Sequence, residues 1–389
     1  MNMPGTVDEE LGGRLFEIMI RNMCHAAVIG PSGSVKSVAV KSALKNLPSR
    51  YLAIVLDMHG EYGGYTDYHA PYPINIVEAQ PPESIVSMVE ESMRLVEPGF
   101  KLHPDAGWLI EEVARLMRGE EDVSRQLPRI DVSNYPRSLE GVGMAIAKMI
   151  EGRLLSRGLV EPAEEAYVAL NRLNHWMFDA MHPLIERLLN GELRGRSIGI
   201  DLSVLEPGQL WLYVIALMRT IEDRGLEDVV LVIDEAFVDN GLPGEIGDWV
   251  EAGADRGRYV VLVANDLPND IFFRVVVKFP YMFRDFEDVL ARRVDPDLVE
   301  LGRYGPYAAK LHVFTWTEDA EEWLGRGHVE VPVKFEKPEP KPSAVTLKKC
   351  VEEVAGENAE EVIDDIRRSG FEGSKYAKEA KLAWECVGR

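Results

Sequence analysis

The chain has 389 residues, of which 46% are hydrophobic and 28% are charged, and its formal net charge is −22 at pH 7. This length suits one large globular core, or one large and one small core. The acidity excludes a wholly basic nucleic-acid-binding surface, although it leaves room for a local basic patch such as the lining of a ring. No apolar run approaches the length of a membrane span, so we expect no transmembrane helix.

The N-terminal residues and the cysteines predict a cytoplasmic protein. Residues 1–13 lack the basic-then-apolar pattern of a secretion signal, so we expect no export. Cys24, Cys350 and Cys386 show no metal-ligand spacing, and we therefore predict three free thiols in a reducing compartment. Glutamine is scarce while Glu and Arg are abundant, a composition that leans towards a thermophilic source.

A phosphate-binding loop is predicted early in the chain. A leading helix over 11–23 and an apolar strand at Ala26 to Ile29 precede a loop, and a helix-competent run from Val38 follows it. In this setting backbone N–H groups cradle a polyphosphate, and the helix N-terminus adds partial positive charge. We expect a polyphosphate ligand and Mg²⁺ here, with Lys36 reaching the terminal phosphates and the Ser37 hydroxyl binding the metal. The other predicted loop residues are Gly30, Pro31, Ser32, Gly33, Ser34 and Val35.

Val35 departs from the usual loop pattern, G-x-x-x-x-G-K-[ST], which has glycine before the lysine. A β-branched residue fits poorly where the backbone needs a conformation open mainly to glycine. Three interpretations stay open: a working loop, a loop with impaired hydrolysis, and a glycine-rich turn of no function.

The second predicted strand, Tyr51 to Leu56, is a continuous apolar run that ends at Asp57. Such runs are typical of strands buried on both faces of a parallel sheet, whose carboxyl ends carry the functional groups. Asp57, His59 and Glu61 lie together at this end and are predicted to face the nucleotide. The alternative is an ordinary polar transition from strand to loop.

A helical insertion is predicted at about 83–193, after a possible short strand at 74–77. Its helices are expected at 85–96, 106–117, 139–155, 161–176 and 183–189, separated by Pro, Gly and charged residues. Arginines in and after the insertion would either line a nucleic-acid path or form a solvated surface. They are Arg172, Arg187, Arg194 and Arg196.

Two later strands predict the rest of the site. Strand 197–202 and helix 210–221 lead to the apolar run 229–233, which ends in Asp234 and Glu235. Asp234 would hold the Mg²⁺ shell and Glu235 would polarise the attacking water. The alternative is an ordinary strand end with acidic residues. A further strand, 259–264, ends at Asn265, whose amide would sense the terminal phosphate or orient water.

Two arginines precede that strand. Arg256 or Arg258 would enter the site of a neighbouring subunit and neutralise charge in the transition state, or would simply be solvated. Helix 245–253 lies before them, and strands are expected at 275–279 and near 305–313, with a helix at 286–292 between them.

The composition changes near residue 330. We predict an ATPase domain over 1–330, a proline-rich extended linker over 331–345 and a helical module over 346–389. The module has helix breaks at Gly356 and at 369–370 and is too short for a large core of its own. We expect it to dock on the main domain, on a neighbouring subunit or on a protein partner.

Five stretches, in order, resemble the HerA-like branch of P-loop ATPases, relatives of FtsK and of conjugative coupling and secretion ATPases. They are 25–37, 54–62, 229–235, 254–266 and 275–310, and the most telling is the D-x-H-G-E-Y run at 57–62. The resemblance implies an α/β, RecA-like fold with a mainly parallel sheet. It also implies a hexameric ring that couples ATP hydrolysis to the movement of DNA, or sometimes protein, through a central channel.

By this resemblance Lys36, Ser37, Asp234 and Glu235 take the roles given above. The chain departs from relatives at 265–266, where many have a pair that contains glutamine, and it has only 24 residues before His25, too few for the N-terminal β-barrel of HerA. We therefore predict a cytoplasmic, ring-forming ATP hydrolase that translocates double-stranded DNA. The alternatives are a nucleotide-binding subunit with weak or no hydrolysis, and an ATPase that powers conjugation or secretion.

Overall fold

A ten-stranded sheet organises the fold. The computed structural model describes residues 13–31, 36–121, 123–234, 242–267, 271, 273–279, 308–314 and 328–388. The strands are β1 Ala26–Ile29, β2 Leu52–Asp57, β3 Tyr68–Ala70, β4 Ser197–Asp201, β5 Val229–Asp234, β6 Arg258–Ala264, β7 Val275–Lys278, β8 Ala308–Phe314, β9 His328–Lys334 and β10 Val345–Thr346. Their order is β10-β3-β4-β2-β5-β6-β1-β7-β8-β9. Neighbours pair in parallel except β7 with β8 and β8 with β9, so the predicted α/β fold with a mainly parallel sheet is confirmed.

The central strands are buried along their whole length. β2, β5 and β6 have no exposed residue, because parallel strands are covered on both faces. The uninterrupted apolar runs that predicted these strands are the sequence signature of that burial. Helices α1 and α2 contribute Phe16, Met19 and Val40 to the same hydrophobic core as β1 and β2.

Apart from α3, the described helices agree with the predicted segments, with small shifts at their ends. They are α1 Leu15–Arg21, α2 Lys36–Lys45, α3 Ile76–Ala79, α4 Pro82–Val96, α5 Pro104–Arg118, α6 Leu139–Glu151, α7 Arg157–Leu173, α8 Pro183–Leu189, α9 Pro207–Asp223, α10 Gly244–Ala252, α11 Leu347–Ala355, α12 Ala359–Gly373 and α13 Ala377–Val387. None of these helices has both the length and the apolar character needed to cross a membrane. The predicted helix at 286–292 lies outside the described residues.

The chain divides into two compact units. The first consists of Met1–Ala70, Leu193–Asp201 and Glu227–Thr346, and it contains the sheet. The second consists of Pro71–Glu192, Leu202–Leu226 and Leu347–Arg389, and its described regular elements are helices. The C-terminal helices therefore belong to the same unit as the helical segment that follows the second and third strands.

Within the second unit the C-terminal helices pack on aromatic side chains. The ring of Trp384 lies 4.1 Å from the ring of His182, and Phe371 lies 6.1 Å from Trp176, measured between centroids. The Trp176 indole N–H donates to the Arg367 carbonyl at 3.2 Å. The module thus docks on its own chain, one of the three options that the sequence left open.

The cysteine prediction is wrong for two of the three residues. Cys350 on α11 and Cys386 on α13 form a disulfide, with their Cα atoms 5.8 Å apart. The two residues are 36 positions apart in sequence, so only the side-by-side packing of α11 and α13 brings the thiols within bonding reach. Cys24 is free and buried, and burial raises the pKa of its thiol to about 11.

Two local predictions also differ from the structure. The short strand expected at 74–77 is instead the beginning of helix α3, because the Asn75 side chain accepts from the Glu78 N–H at 3.1 Å and caps a helical turn. The first residues of the predicted linker are paired as β9. Further along the linker, Lys341 donates its backbone N–H to Gly64 and its ammonium to Asp67, at 2.6 and 2.9 Å.

Candidate nucleotide site

The predicted nucleotide-binding residues lie at the carboxyl edge of the parallel sheet. β1 leads to Gly30 and Pro31, β2 ends at Asp57, β5 ends at Asp234, and Asn265 follows β6. Because β2, β5, β6 and β1 are consecutive neighbours in the sheet, these ends form a row. Ligand sites of open parallel sheets are found at this edge.

Lys36 and Asn265 meet directly, although they are 229 residues apart in sequence. The Lys36 ammonium donates to Asn265 Oδ1 at 2.9 Å and to the Pro31 carbonyl at 3.2 Å. Lys36 is the first residue of α2 and is only 6% exposed. The residue predicted to bind the terminal phosphates is thus held by the residue predicted to sense them.

Several predicted residues of the site lie outside the described residues. These are Ser32, Gly33, Ser34 and Val35 of the loop and Glu235 after β5. Their predicted roles stay predictions.

Ser37 and Glu61 are neighbours across the site. The Ser37 hydroxyl donates to Glu61 Oε2 at 3.4 Å. The same oxygen lies 3.7 Å from the ammonium of Lys41, one turn along α2. The hydroxyl predicted to bind Mg²⁺ therefore has a carboxylate beside it.

Asp57 organises the loop after β2 rather than pointing at a ligand. It is fully buried, and its carboxylate accepts the backbone N–H groups of His59, Glu61 and Tyr62 at 3.2, 3.0 and 2.8 Å. His69 Nε2 lies 2.8 Å from the same carboxylate. Burial alone would raise the pKa of Asp57, but the His69 contact and these N–H groups outweigh it and lower the pKa. The ionised carboxylate thus fixes the turn that presents Glu61.

The turn itself requires a glycine. Gly60 has φ of +72°, a backbone conformation that residues with a Cβ adopt at a cost. Its neighbours His59 and Glu61 are exposed, so these two predicted site residues are accessible to a ligand. The D-x-H-G-E-Y run is therefore a carboxylate-centred turn with its polar side chains outward.

Tyr62 places a buried hydroxyl near Asp234. Tyr62 is fully buried and Asp234 is 6% exposed. Burial raises the pKa of Tyr62, and the negative charges of Asp234 and Asp57 raise it further. The Tyr62 hydroxyl is therefore close enough to the Asp234 carboxylate for the two groups to interact.

The two candidate arginines differ in accessibility. Arg258 is the first residue of the seven-residue strand β6 and is 4% exposed, with its guanidinium 5.8 Å from the Trp249 ring. It lies about 20 Å from Asn265 at the other end of the strand, so it does not reach the phosphate loop of its own chain. Arg256 is exposed, unlike Arg258.

The oxygens at this edge suit Mg²⁺ bound with a nucleotide. Mg²⁺ takes one or two protein oxygens and completes its shell with phosphates and water. Ser37, Glu61 and Asp234 provide a hydroxyl and two carboxylates. Among the described residues no cluster of three or more His, Cys, Asp or Glu is arranged to hold a metal by itself.

The arginines proposed to line a nucleic-acid path are each paired with an acid. The N···O distances are 2.9 Å for Arg172–Glu97, 3.6 Å for Arg187–Glu192, 3.7 Å for Arg194–Asp228 and 3.9 Å for Arg196–Asp67. Their positive charge is therefore partly balanced within the chain.

Sequence reasoning missed Lys41 and His69. Lys41 follows Ser37 by four residues, which places both on one face of α2, so helical spacing alone would have found it. His69 comes twelve residues after Asp57 and across a loop, and no local pattern links the two.

Comparison with known proteins agrees with this geometry. Residues 17–127 match the family model "Helicase HerA, central domain". The fold resembles the plasmid coupling protein TrwB in complex with ADP and Mg²⁺, with a TM-score of 0.54 and 14% identity, covering 88% of this chain and 92% of that one. TrwB in complex with the GTP analogue GDPNP aligns with a TM-score of 0.54 and 14% identity, covering 88% of this chain and 93% of that one.

VirB4 of Thermoanaerobacter pseudethanolicus aligns with a TM-score of 0.47 and 14% identity, covering 80% of this chain and 89% of that one. No curated protein matches the chain in sequence. The family match over 17–127 spans the phosphate loop and the D-x-H-G-E-Y turn. The chain is therefore similar to the HerA central domain over 17–127, and its fold is similar to that of TrwB.

Proposed function

We propose that the protein is a cytoplasmic ATP hydrolase that assembles as a hexameric ring and translocates double-stranded DNA. The observation that carries the proposal is the contact of Lys36 with Asn265, beside the pair Ser37 and Glu61. Lys36 and Ser37 lie in the first turn of α2, which follows β1, and they meet residues from the segments after β6 and β2 at one edge of the sheet, as a site for a nucleotide and Mg²⁺ requires. The cytoplasm is where ATP is supplied, and a disulfide is compatible with it in a thermophile.

Each residue has a distinct part in the proposed hydrolysis. Mg²⁺ neutralises charge on the phosphates when it is bound. Lys36 turns from Asn265 and Pro31 to the terminal phosphates, and the Asn265 amide then registers their presence. Asp234 and Ser37 hold the metal side of the site, and Glu235 orients the attacking water. Arg256 of a neighbouring subunit stabilises the developing charge.

DNA is the proposed cargo because the matching family model is described as a helicase domain and TrwB is described as a plasmid coupling protein. The test is ATP hydrolysis by the purified protein with and without double-stranded DNA over a range of salt concentrations. We expect stimulation that weakens steeply with salt, because phosphate contacts release counterions. Hydrolysis that DNA leaves unchanged at every salt concentration would remove DNA as the cargo.

A protein cargo is the second candidate, as in an ATPase that powers secretion or conjugation. It is favoured by the net charge of −22 and by the acidic partners of the four arginines, since both weaken an open basic path. Basal hydrolysis with no response to DNA would support it. A nucleotide-binding subunit without turnover is the third, and it predicts that Val35→Gly gains hydrolysis that the native chain lacks.

A further inference from the structure

Lys41 is a desolvated cation beside the proposed metal side of the site. Its side chain is 11% exposed. Its ammonium lies 4.9 Å from the ring centroids of both Tyr62 and Tyr65, and Tyr62 is fully buried. Aromatic faces attract a cation but seldom balance its charge alone. The carboxylate that completes the balance is Glu61, 3.7 Å away.

Glu61 is poorly restrained by its own surroundings. Its side chain is 57% exposed, and a long exposed side chain samples several rotamers unless contacts hold it. One carboxylate oxygen, Oε2, lies 3.4 Å from the Ser37 hydroxyl and 3.7 Å from the Lys41 ammonium. The two partners are one helical turn apart on α2, so together they fix where that oxygen lies.

We propose that Lys41 is a positioning residue for the metal: it holds Glu61 beside Ser37, where the carboxylate accepts a hydrogen bond from a water of the Mg²⁺ shell. The inference rests on the proposed nucleotide binding and deepens it. Groups that orient metal ligands from outside the first shell are commonly as important as the ligands.

The alternative to positioning is a purely structural role, in which Lys41 stabilises the loop by stacking on the two tyrosines. Two substitutions separate the two roles. Lys41→Met keeps an unbranched stem against the rings and removes the charge. Lys41→Arg keeps the charge and stacks on aromatic faces. Lys45→Met is the matched control, because Lys45 is an exposed lysine on the same helix.

The experiment measures binding of a non-hydrolysable ATP analogue to the full chain by calorimetry, in EDTA and across a Mg²⁺ titration. For Lys41→Met we expect the Mg²⁺ concentration at half-maximal effect to rise about tenfold, with affinity in EDTA unchanged. Lys41→Arg and Lys45→Met are expected to behave like the native protein. Glu61→Gln is expected to give a similar shift that does not add to that of Lys41→Met, because both remove one interaction.

A native Mg²⁺ dependence in Lys41→Met would overturn the proposal, and so would an equal loss of affinity with and without Mg²⁺. The proposed motor and this inference fail in different ways. A native protein that binds the analogue with Mg²⁺ but never hydrolyses ATP refutes the motor and leaves the role of Lys41 standing. A native protein that binds no nucleotide refutes both.

Discussion

His182 is expected to make the stability of the second unit depend on pH. It is fully buried, its Nδ1 accepts the Leu184 N–H at 3.0 Å, and its ring packs 4.1 Å from Trp384 and 4.9 Å from Tyr72. Burial lowers its pKa to about 3. At a pH below about 6.5, the ordinary pKa of histidine, the imidazole binds a proton in the unfolded chain but stays neutral in the folded chain.

The sign and size follow from this difference. The stabilising contribution is fully present above about pH 6.5 and is lost as the pH falls towards the folded pKa of about 3. Between about pH 7.5 and pH 5 the protonation of the unfolded imidazole removes about 2 kcal/mol. This figure barely depends on the folded pKa, because the folded imidazole stays neutral throughout that range.

The assay is chemical denaturation of the native protein and of His182→Asn at both pH values. Asparagine keeps a side-chain acceptor for the helix cap but does not titrate. On acidification the free energy of unfolding of His182→Asn should therefore fall by about 2 kcal/mol less than that of the native protein. His103→Asn is the control, since His103 likewise caps a helix that begins with proline but its side chain is 53% exposed. Equal pH dependence in the native protein and in His182→Asn would refute the reasoning.

Two further perturbations test the packing. Cys386→Ser should lower the free energy of unfolding by about 3–4 kcal/mol, because the disulfide closes a loop of 36 residues; reduction of the native protein should match it, and a denaturation midpoint unmoved by reductant would contradict it. Gly199→Ala should cost about 1–3 kcal/mol, because an added Cβ would lie 2.6 Å from His69 Cδ2 and 2.9 Å from Thr66 Oγ1. An unchanged melting temperature for this variant would show that the sheet relaxes freely there.

The features that could be predicted from the sequence are those determined by residues adjacent in sequence. Residues 229–233 are all apolar and Asp234 follows them. A strand that is buried on both faces is apolar along its length, and an acidic residue marks the point where it reaches the edge of the sheet. The same pattern placed Asp57 at the end of β2 and Asn265 just after β6, and the position of Asn265 beside β1 brings it to Lys36.

The parts that the sequence did not predict depend on approaches between distant segments. Cys350 and Cys386 meet because two helices pack together, and nothing within either helix encodes the other. His69 reaches Asp57 across the loop after β2 for the same kind of reason. The strand prediction at 74–77 was wrong because the apolar composition of this segment suits a strand, whereas the Asn75 side chain caps and stabilises a helical turn there.

The most direct test of the proposed motor is the rate of ATP hydrolysis by the native protein and by Lys36→Ala, each with Mg²⁺ and with and without double-stranded DNA. The proposal predicts turnover of order 1 s⁻¹ or faster for the native protein, stimulation by DNA, and none of this activity in Lys36→Ala. Equal rates in the two proteins would show that hydrolysis does not use this site. No turnover in the native protein, with activity gained by Val35→Gly, would instead identify a chain that binds nucleotide and has lost its motor.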